Sequence, residues 1–246
     1  MTNSLVGVLC RFRQEPVAFA CDIEGMFHQV HVNEEHRDLL RFLWWEQGDT
    51  SKEPTEYRMT VHLFGATFSP GCANLALRTA ADDGVNEFGA EAVSFIKENF
   101  YVDDGLKSVR RVPEAIELIK NSTEMCMRGG FRLRKFTSNS KEVVESTPTE
   151  LCAKDIKELD LNRDLLPPKR VLDVEWNIEN DAFKFCITLK DKPLMRRGIL
   201  STVSSIYDPL GFAAPFLLRG KRILQDRKST RLNSSHRSLS RMPSSA

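Results

Sequence analysis

Residues 100–108 read FYVDDGLKS, two adjacent carboxylates set between an apolar run and a glycine. Asp-Gly flanked by apolar residues is a strong short-range hairpin signal. The chain is therefore expected to run in along NFYVDD, turn at Asp104-Gly105, and return along GLKSV. That commits this part of the molecule to an antiparallel sheet. Adjacent carboxylates repel, and one of them should take up a proton unless positive charge lies close by. PVAFACDIEG, at 16–25, starts with apolar alternation and ends in another carboxylate, so it reads as a strand that delivers Asp22 to its tip. If the two strands are neighbours, Asp22, Asp103 and Asp104 converge at one end of a sheet. Three carboxylates around one cavity form a good oxygen-ligand set for Mg²⁺, which keeps some of its waters and shares other positions with substrate phosphates.

The remaining elements fit the same class. LLRFLWW and EYRMTVHL are two further strand candidates, separated by the hairpin-like loop EQGDTSKEPT. A glycine- and proline-bearing loop around Gly65, Ser69, Pro70 and Gly71 precedes a helix expected from Cys72 to Phe88, and EAVSFIKEN reads as a second helix. A third starts at Pro113 and stops at Gly129-Gly130. FRLRKFTS follows as a strand of alternating character. A polar linker is expected over 143–170, then a hairpin in VLDVEWNIENDAFKFCITL turning at Glu179-Asn180-Asp181, then two helices broken at Asp208-Pro209-Leu210-Gly211. Strands and helices interleave without regular alternation, which implies an α+β fold, an antiparallel sheet with helices on one face.

Composition narrows the function classes. With 246 residues and 41% hydrophobic content, the chain can build one large or two modest cores. It has no run of about 18 apolar residues, and its six cysteines form no CxxC and have no nearby histidine pair. The expectation is a soluble, cytoplasmic protein with reduced thiols, no membrane partner, and neither a zinc site nor a disulfide framework. Seven of the last twenty residues are serine, and apolar periodicity is lost from Asp226 onward. That tail, 226–246, resembles the in-frame translation of a sequencing adapter and is expected to be disordered. Without it the chain has 30 basic and 33 acidic side chains, a net charge of −3 against +1 for the whole. Any nucleic-acid site must therefore be a local patch rather than a global field.

The motifs, taken in order, resemble a known family. FYVDD is similar to the signature of reverse transcriptases. CDIEGMFHQV resembles the first palm motif of that family, FGATFSPGCAN the second, GGFRLRKFTSNS the fourth and LDVEWNIENDAFKF the fifth. FGATFSPGCAN, FYVDDGLKS and GILSTVSSIYDPLGF are similar in particular to the Bel/Pao group of long-terminal-repeat retrotransposon polyproteins.

The resemblance implies an RNA-directed DNA polymerase built as a right hand. The palm would occupy 1–142, and 171–225 would hold the primer-grip hairpin and the start of a thumb or connection. The fingers would be largely missing ahead of residue 1. Asp22, Asp103 and Asp104 would bind two Mg²⁺ ions, for which Mn²⁺ could substitute, with the backbone carbonyl of Ile23 as a further ligand. Phe27 would be a steric gate against a ribose 2′-hydroxyl. Phe64, Gly65, Ser69 and Pro70 would pack on the incoming nucleotide, Tyr101 and Trp176 would lie at the primer, and Lys135 would be a general acid for pyrophosphate. The implied partners are an RNA or DNA template with its primer, deoxynucleoside triphosphates, and the polyprotein's RNase H, protease and integrase, in a cytoplasmic virus-like particle. With the fingers missing, the isolated chain is expected to polymerise poorly or not at all. Family members usually have glycine where this sequence has Asp173, a carboxylate that would repel primer phosphates. Two further readings use the same residues: a non-catalytic nucleic-acid-binding remnant of a retroelement, and a metal-dependent phosphodiester hydrolase.

Plainer roles compete at several positions. Asp82-Asp83 fall late in a predicted helix, with no strand to deliver them, and read as a solvated helix end. Phe27 could be core, Lys135 could lie on a solvated face beside Arg132 and Arg134, and Trp44-Trp45 read as packing residues. No metal role is expected for His28, His31, His36 or His62.

Overall fold

A computed structural model of the chain describes residues 2–157, 168–172, 174–184 and 195–225. The chain divides into two compact units, Met1–Pro167 and Pro168–Ala246.

In chain order the first unit contains α1 (Leu5–Phe12), β1 (Val17–Ile23), β2 (Arg41–Trp44), β3 (Thr55–Arg58), α2 (Ser69–Asp83), α3 (Val85–Glu98), β4 (Phe100–Tyr101), β5 (Asp104–Val109), α4 (Val112–Arg128), β6 (Leu133–Ser138), α5 (Lys141–Ser146) and α6 (Lys154–Lys157). Its main sheet is antiparallel in the order β4-β5-β1-β6. Strand alternation gives β1 two working faces. Phe19, Cys21 and Ile23 enter one core with Ala73 and Leu77 of α2, Phe95 and Ile96 of α3, and Leu118 and Ile119 of α4. Each large apolar side chain fully buried there contributes about 1.5–3 kcal/mol relative to exposure.

The expectation of helices on one face is incomplete, because α1 packs on β4 and β5 and buries Val8, Leu9 and Phe12. Ser108 of β5 donates its hydroxyl to the Arg11 carbonyl at 2.9 Å, which fixes α1 to the face that carries Ala18, Ala20 and Leu106. Asp22 and Asp104 share this second face by register, at the end of their strands.

β6 departs from simple alternation. Leu133 and Phe136 both enter the helix-facing core although they are three residues apart, a spacing that would put them on opposite faces of a regular strand. A bulge resolves the conflict: between the pairs Ala20↔Thr137 and Asp22↔Arg134, two residues of β6 oppose one of β1. Lys135 takes the left-handed conformation there, with φ +57°.

α4 begins with Pro113 in its first turn and ends as the glycine pair requires. Gly130 has φ +83°, and Phe131 N–H closes the end on the Cys126 carbonyl at 2.8 Å. β2 and β3 form the expected hairpin. Residues 141–157, polar in sequence, stay with the first unit: Val144, Cys152, Ala153 and Ile156 form a small buried cluster, and Cys152 bridges to Phe136 of β6.

The second unit holds β7 (Lys169–Val171), β8 (Val174–Asn177) and β9 (Ala182–Lys184) as an antiparallel sheet in that order, with the β8–β9 turn at 178–181 as expected. Two helices follow, α7 (Arg196–Ser204) and α8 over 214–225. Asp208 opens the break between them by accepting the N–H groups of Phe212 and Ala213, at 3.0 and 2.7 Å. Asp173 lies outside the described residues.

Candidate carboxylate site at the end of the first sheet

Three backbone pairings gather the carboxylates. Asp22 of β1 is the register partner of Asp104 of β5, and Asp104 is in turn the partner of Tyr101 of β4. Side chains of directly opposed residues have Cβ atoms about 4.5–5.5 Å apart. Asp103 precedes Asp104 in the β4–β5 turn, and its carbonyl accepts the Ile23 N–H at 2.9 Å, which ties the turn to the end of β1.

The turn itself lies two residues earlier than Asp104-Gly105. Tyr101 pairs with Asp104 and Phe100 with Gly105, so Val102 and Asp103 are the two turn residues. Val102 has φ +56°, a conformation that a β-branched side chain rarely adopts. Such strain persists only where its surroundings over-determine it, and here both flanking strands are pinned in the sheet. Gly105 is required by packing rather than by turn geometry. A Cβ there would lie 2.5 Å from the Cζ of Phe100, whose ring is fully buried and 5.2 Å from that of Phe95.

Among the described residues, a lysine faces Asp22 of this cluster directly. Lys135 Nζ donates to Asp22 Oδ2 at 3.0 Å, with the lysine side chain 60% exposed and that of Asp22 22%. Arg134, next along the bulged strand, is engaged elsewhere, by Glu24 at 3.4 Å and the Glu150 carbonyl at 3.0 Å. Burial pushes the Asp103 carboxyl above the ordinary carboxylate range; its own backbone N–H opposes the rise, the Asp22 charge adds to it, and Lys135 counters it. The Cys21 thiol, behind the site, is held neutral by burial and by the nearby Cys126, Asp104 and Asp22.

Two or three aspartates with a backbone carbonyl are hard oxygen donors, the chemistry that a divalent cation such as Mg²⁺ takes. The fit lies in this donor set and its convergence. Among the described residues, no three acidic, histidine or cysteine side chains stand as a closed metal-holding group.

A second cluster lies around Phe27. Gly25, at φ +57°, turns the chain out of β1 into the short 3₁₀ helix Met26–Gln29, and the buried Phe27 ring meets the Phe64 ring at 4.8 Å. Phe64 is 62% exposed and forms the open side of this aromatic pair. Gly65 has φ +91°, and Pro70 sits in the first turn of α2. Ser69 is fully buried, 3.4 Å from His62 Nδ1, so its hydroxyl points into the protein rather than toward a ligand. Trp176, in the second unit, is also fully buried, and its indole N–H donates to Asp181 at 3.0 Å, so the side chain presents no surface to a primer.

Asp82 is exposed and ion-paired with Lys97, as a solvated helix end should be. Sequence reasoning did not find the direct Lys135–Asp22 pair. The available signal was the three-residue spacing of Leu133 and Phe136, which a regular strand cannot bury on one face.

A family model described as a Pao retrotransposon-like RNaseH-like domain matches residues 195–238, a stretch that includes α7 and α8 and extends into the serine-rich tail. The match supports a Bel/Pao retrotransposon origin for the chain. A comparison with curated proteins finds no match.

Proposed function

We propose that the first unit is the palm of an RNA-directed DNA polymerase from a Bel/Pao-type retroelement, and that Asp22, Asp103 and Asp104, with the Ile23 carbonyl, hold its divalent cations. The observation that carries this reading is the Asp22↔Asp104 register pair with Asp103 in the adjoining turn, three carboxylates gathered by two antiparallel strands. A bound divalent ion would supply charge neutralisation for an attacking 3′-hydroxyl and for departing pyrophosphate.

This chain's own residues supply the rest. Tyr101, opposite Asp104, borders the place a primer end would reach, and the Phe27–Phe64 pair offers an apolar wall on which a sugar and base could rest. Phe27, buried against the Phe64 ring, is the residue that would act as a gate against a 2′-hydroxyl. Template, primer and deoxynucleoside triphosphates are the partners that this arrangement suits, with the other enzymes of the polyprotein. The match over 195–238 favours reading α7 and α8 as part of an RNase H-like neighbour rather than a thumb.

The test uses the full chain, a primer–template and one complementary deoxynucleotide with Mg²⁺ or Mn²⁺. Slow templated addition that is lost in Asp104→Asn supports the polymerase reading. Phosphodiester cleavage without nucleotides would favour a hydrolase, and primer–template binding that survives loss of both Asp22 and Asp104, without any addition, would favour a non-catalytic remnant.

A further inference from the structure

We propose that Lys135 is a built-in counter-cation of the carboxylate site, occupying Asp22 in the metal-free protein and giving way when a divalent ion binds. The inference rests on the reading of the three aspartates as a cation site and adds to it a competitor carried by the chain itself.

The bulge makes the arrangement specific. It lets Leu133 and Phe136 both enter the core, and of the two residues between them the one in left-handed backbone geometry is a lysine whose amine reaches Asp22 Oδ2 at 3.0 Å. An arginine one position earlier does not share the task, because Glu24 and the Glu150 carbonyl engage it. A lysine ammonium is a donor only and cannot ligate a metal ion, and its positive charge beside Asp22 repels an incoming divalent cation. The ion binds more favourably once the amine has moved away. The flexible four-carbon stem and the solvent exposure of Lys135 let the amine swing away at little cost, since exposed pairs are weakly held. The folded protein thus offsets the charge of Asp22, one of the gathered carboxylates, before any metal arrives. The divalent ion frees the amine at the edge of the site.

Mn²⁺ binding to the full chain, titrated by electron paramagnetic resonance, tests this without reference to activity. Lys135→Gln should bind Mn²⁺ on the order of tenfold more tightly than wild type, because the resident charge is gone. Lys135→Arg, which keeps the charge, should remain close to wild type, and Arg132→Gln, which removes the same charge three residues away, should change affinity by less than about twofold. In buffer without metal, Lys135→Gln should melt below wild type, and the deficit should vanish in the Asp22→Asn background.

Binding that is lost in Asp22→Asn yet unchanged or weakened in Lys135→Gln would overturn the counter-cation and leave the metal site standing. A similar gain from Arg132→Gln would also overturn it, by reducing the effect to general charge. Absence of Mn²⁺ binding in both wild type and Lys135→Gln would overturn the metal site and this inference together.

Discussion

Replacing Gly105 by alanine puts a methyl carbon 2.5 Å from Phe100 Cζ and 2.8 Å from both Cε atoms. The ring has nowhere to go. Phe100 is fully buried, directly opposite Gly105 in the β4–β5 pair, with the Phe95 ring 5.2 Å behind it and Phe95 itself 5.4 Å from Phe19. Relief must come from displacing the ring into that aromatic row or from prying β4 off β5. Overpacking of this kind costs about 1–3 kcal/mol. For a unit of this size, a loss of about 2 kcal/mol corresponds to a fall in melting temperature of roughly 4–8 °C. Differential scanning calorimetry of wild type and Gly105→Ala reads it directly. Phe100→Leu in the Gly105→Ala background should recover part of the loss, because the shorter side chain vacates the space the methyl needs, whereas Phe100→Leu alone should be destabilising. A Gly105→Ala protein melting within about 1 °C of wild type would refute the packing argument. Because Asp104 is the adjacent residue and the partner of Asp22, the same substitution should also weaken Mn²⁺ binding.

The raised Asp103 carboxyl gives a pH signature in metal-free protein: a group whose folded value lies above its unfolded value, near 3.8, favours the fold below that value and loses this contribution as pH climbs through the folded value. Urea denaturation should therefore show Asp103→Asn gaining stability relative to wild type as pH rises from about 3.8 toward neutrality, and a constant difference across that window would contradict the assignment. Trp176→Ala removes the largest fully buried side chain and should destabilise the second unit by about 3–5 kcal/mol, read as loss of its denaturation transition or a marked shift to lower urea. Iodoacetamide at pH 8 should label exposed Cys10 readily and spare Cys126, whose thiol burial pushes up to about 12, until the protein is unfolded.

Much of the site could be read from the chain because its signals are local. A strand ending in Asp22, a hairpin bearing Asp103 and Asp104, and a helix bounded by Pro113 and Gly129-Gly130 each depend on residues adjacent in sequence. Other features depended on contacts that local patterns do not encode. The turn fell at Val102-Asp103 rather than at Asp104-Gly105 because Gly105 is needed opposite the Phe100 ring, a demand of cross-strand packing that outweighed Asp-Gly turn chemistry. Helix α1 covers the second face of the sheet because Ala18, Ala20 and Leu106 would otherwise lie open to water, which strand alternation implies but does not assign to a partner. Ser69 and Trp176, which the family resemblance placed at the nucleotide and the primer, are both buried and hydrogen-bond inward.

The same competition between packing and polarity governs the site itself. Antiparallel pairing alone would set Asp22 beside Asp104 and leave their repulsion to be relieved by protonation or by a cation. The core's demand for both Leu133 and Phe136 forces a bulge into the neighbouring strand, and the residue that the bulge ejects is the one that neutralises Asp22. Removing the bulge while keeping the lysine would bury the wrong face of β6, and removing the lysine while keeping the bulge would take from Asp22 its ion-pair partner. Hydrophobic packing and charge balance therefore act through one local irregularity, and the electrostatics of the candidate site follow from how the core is filled.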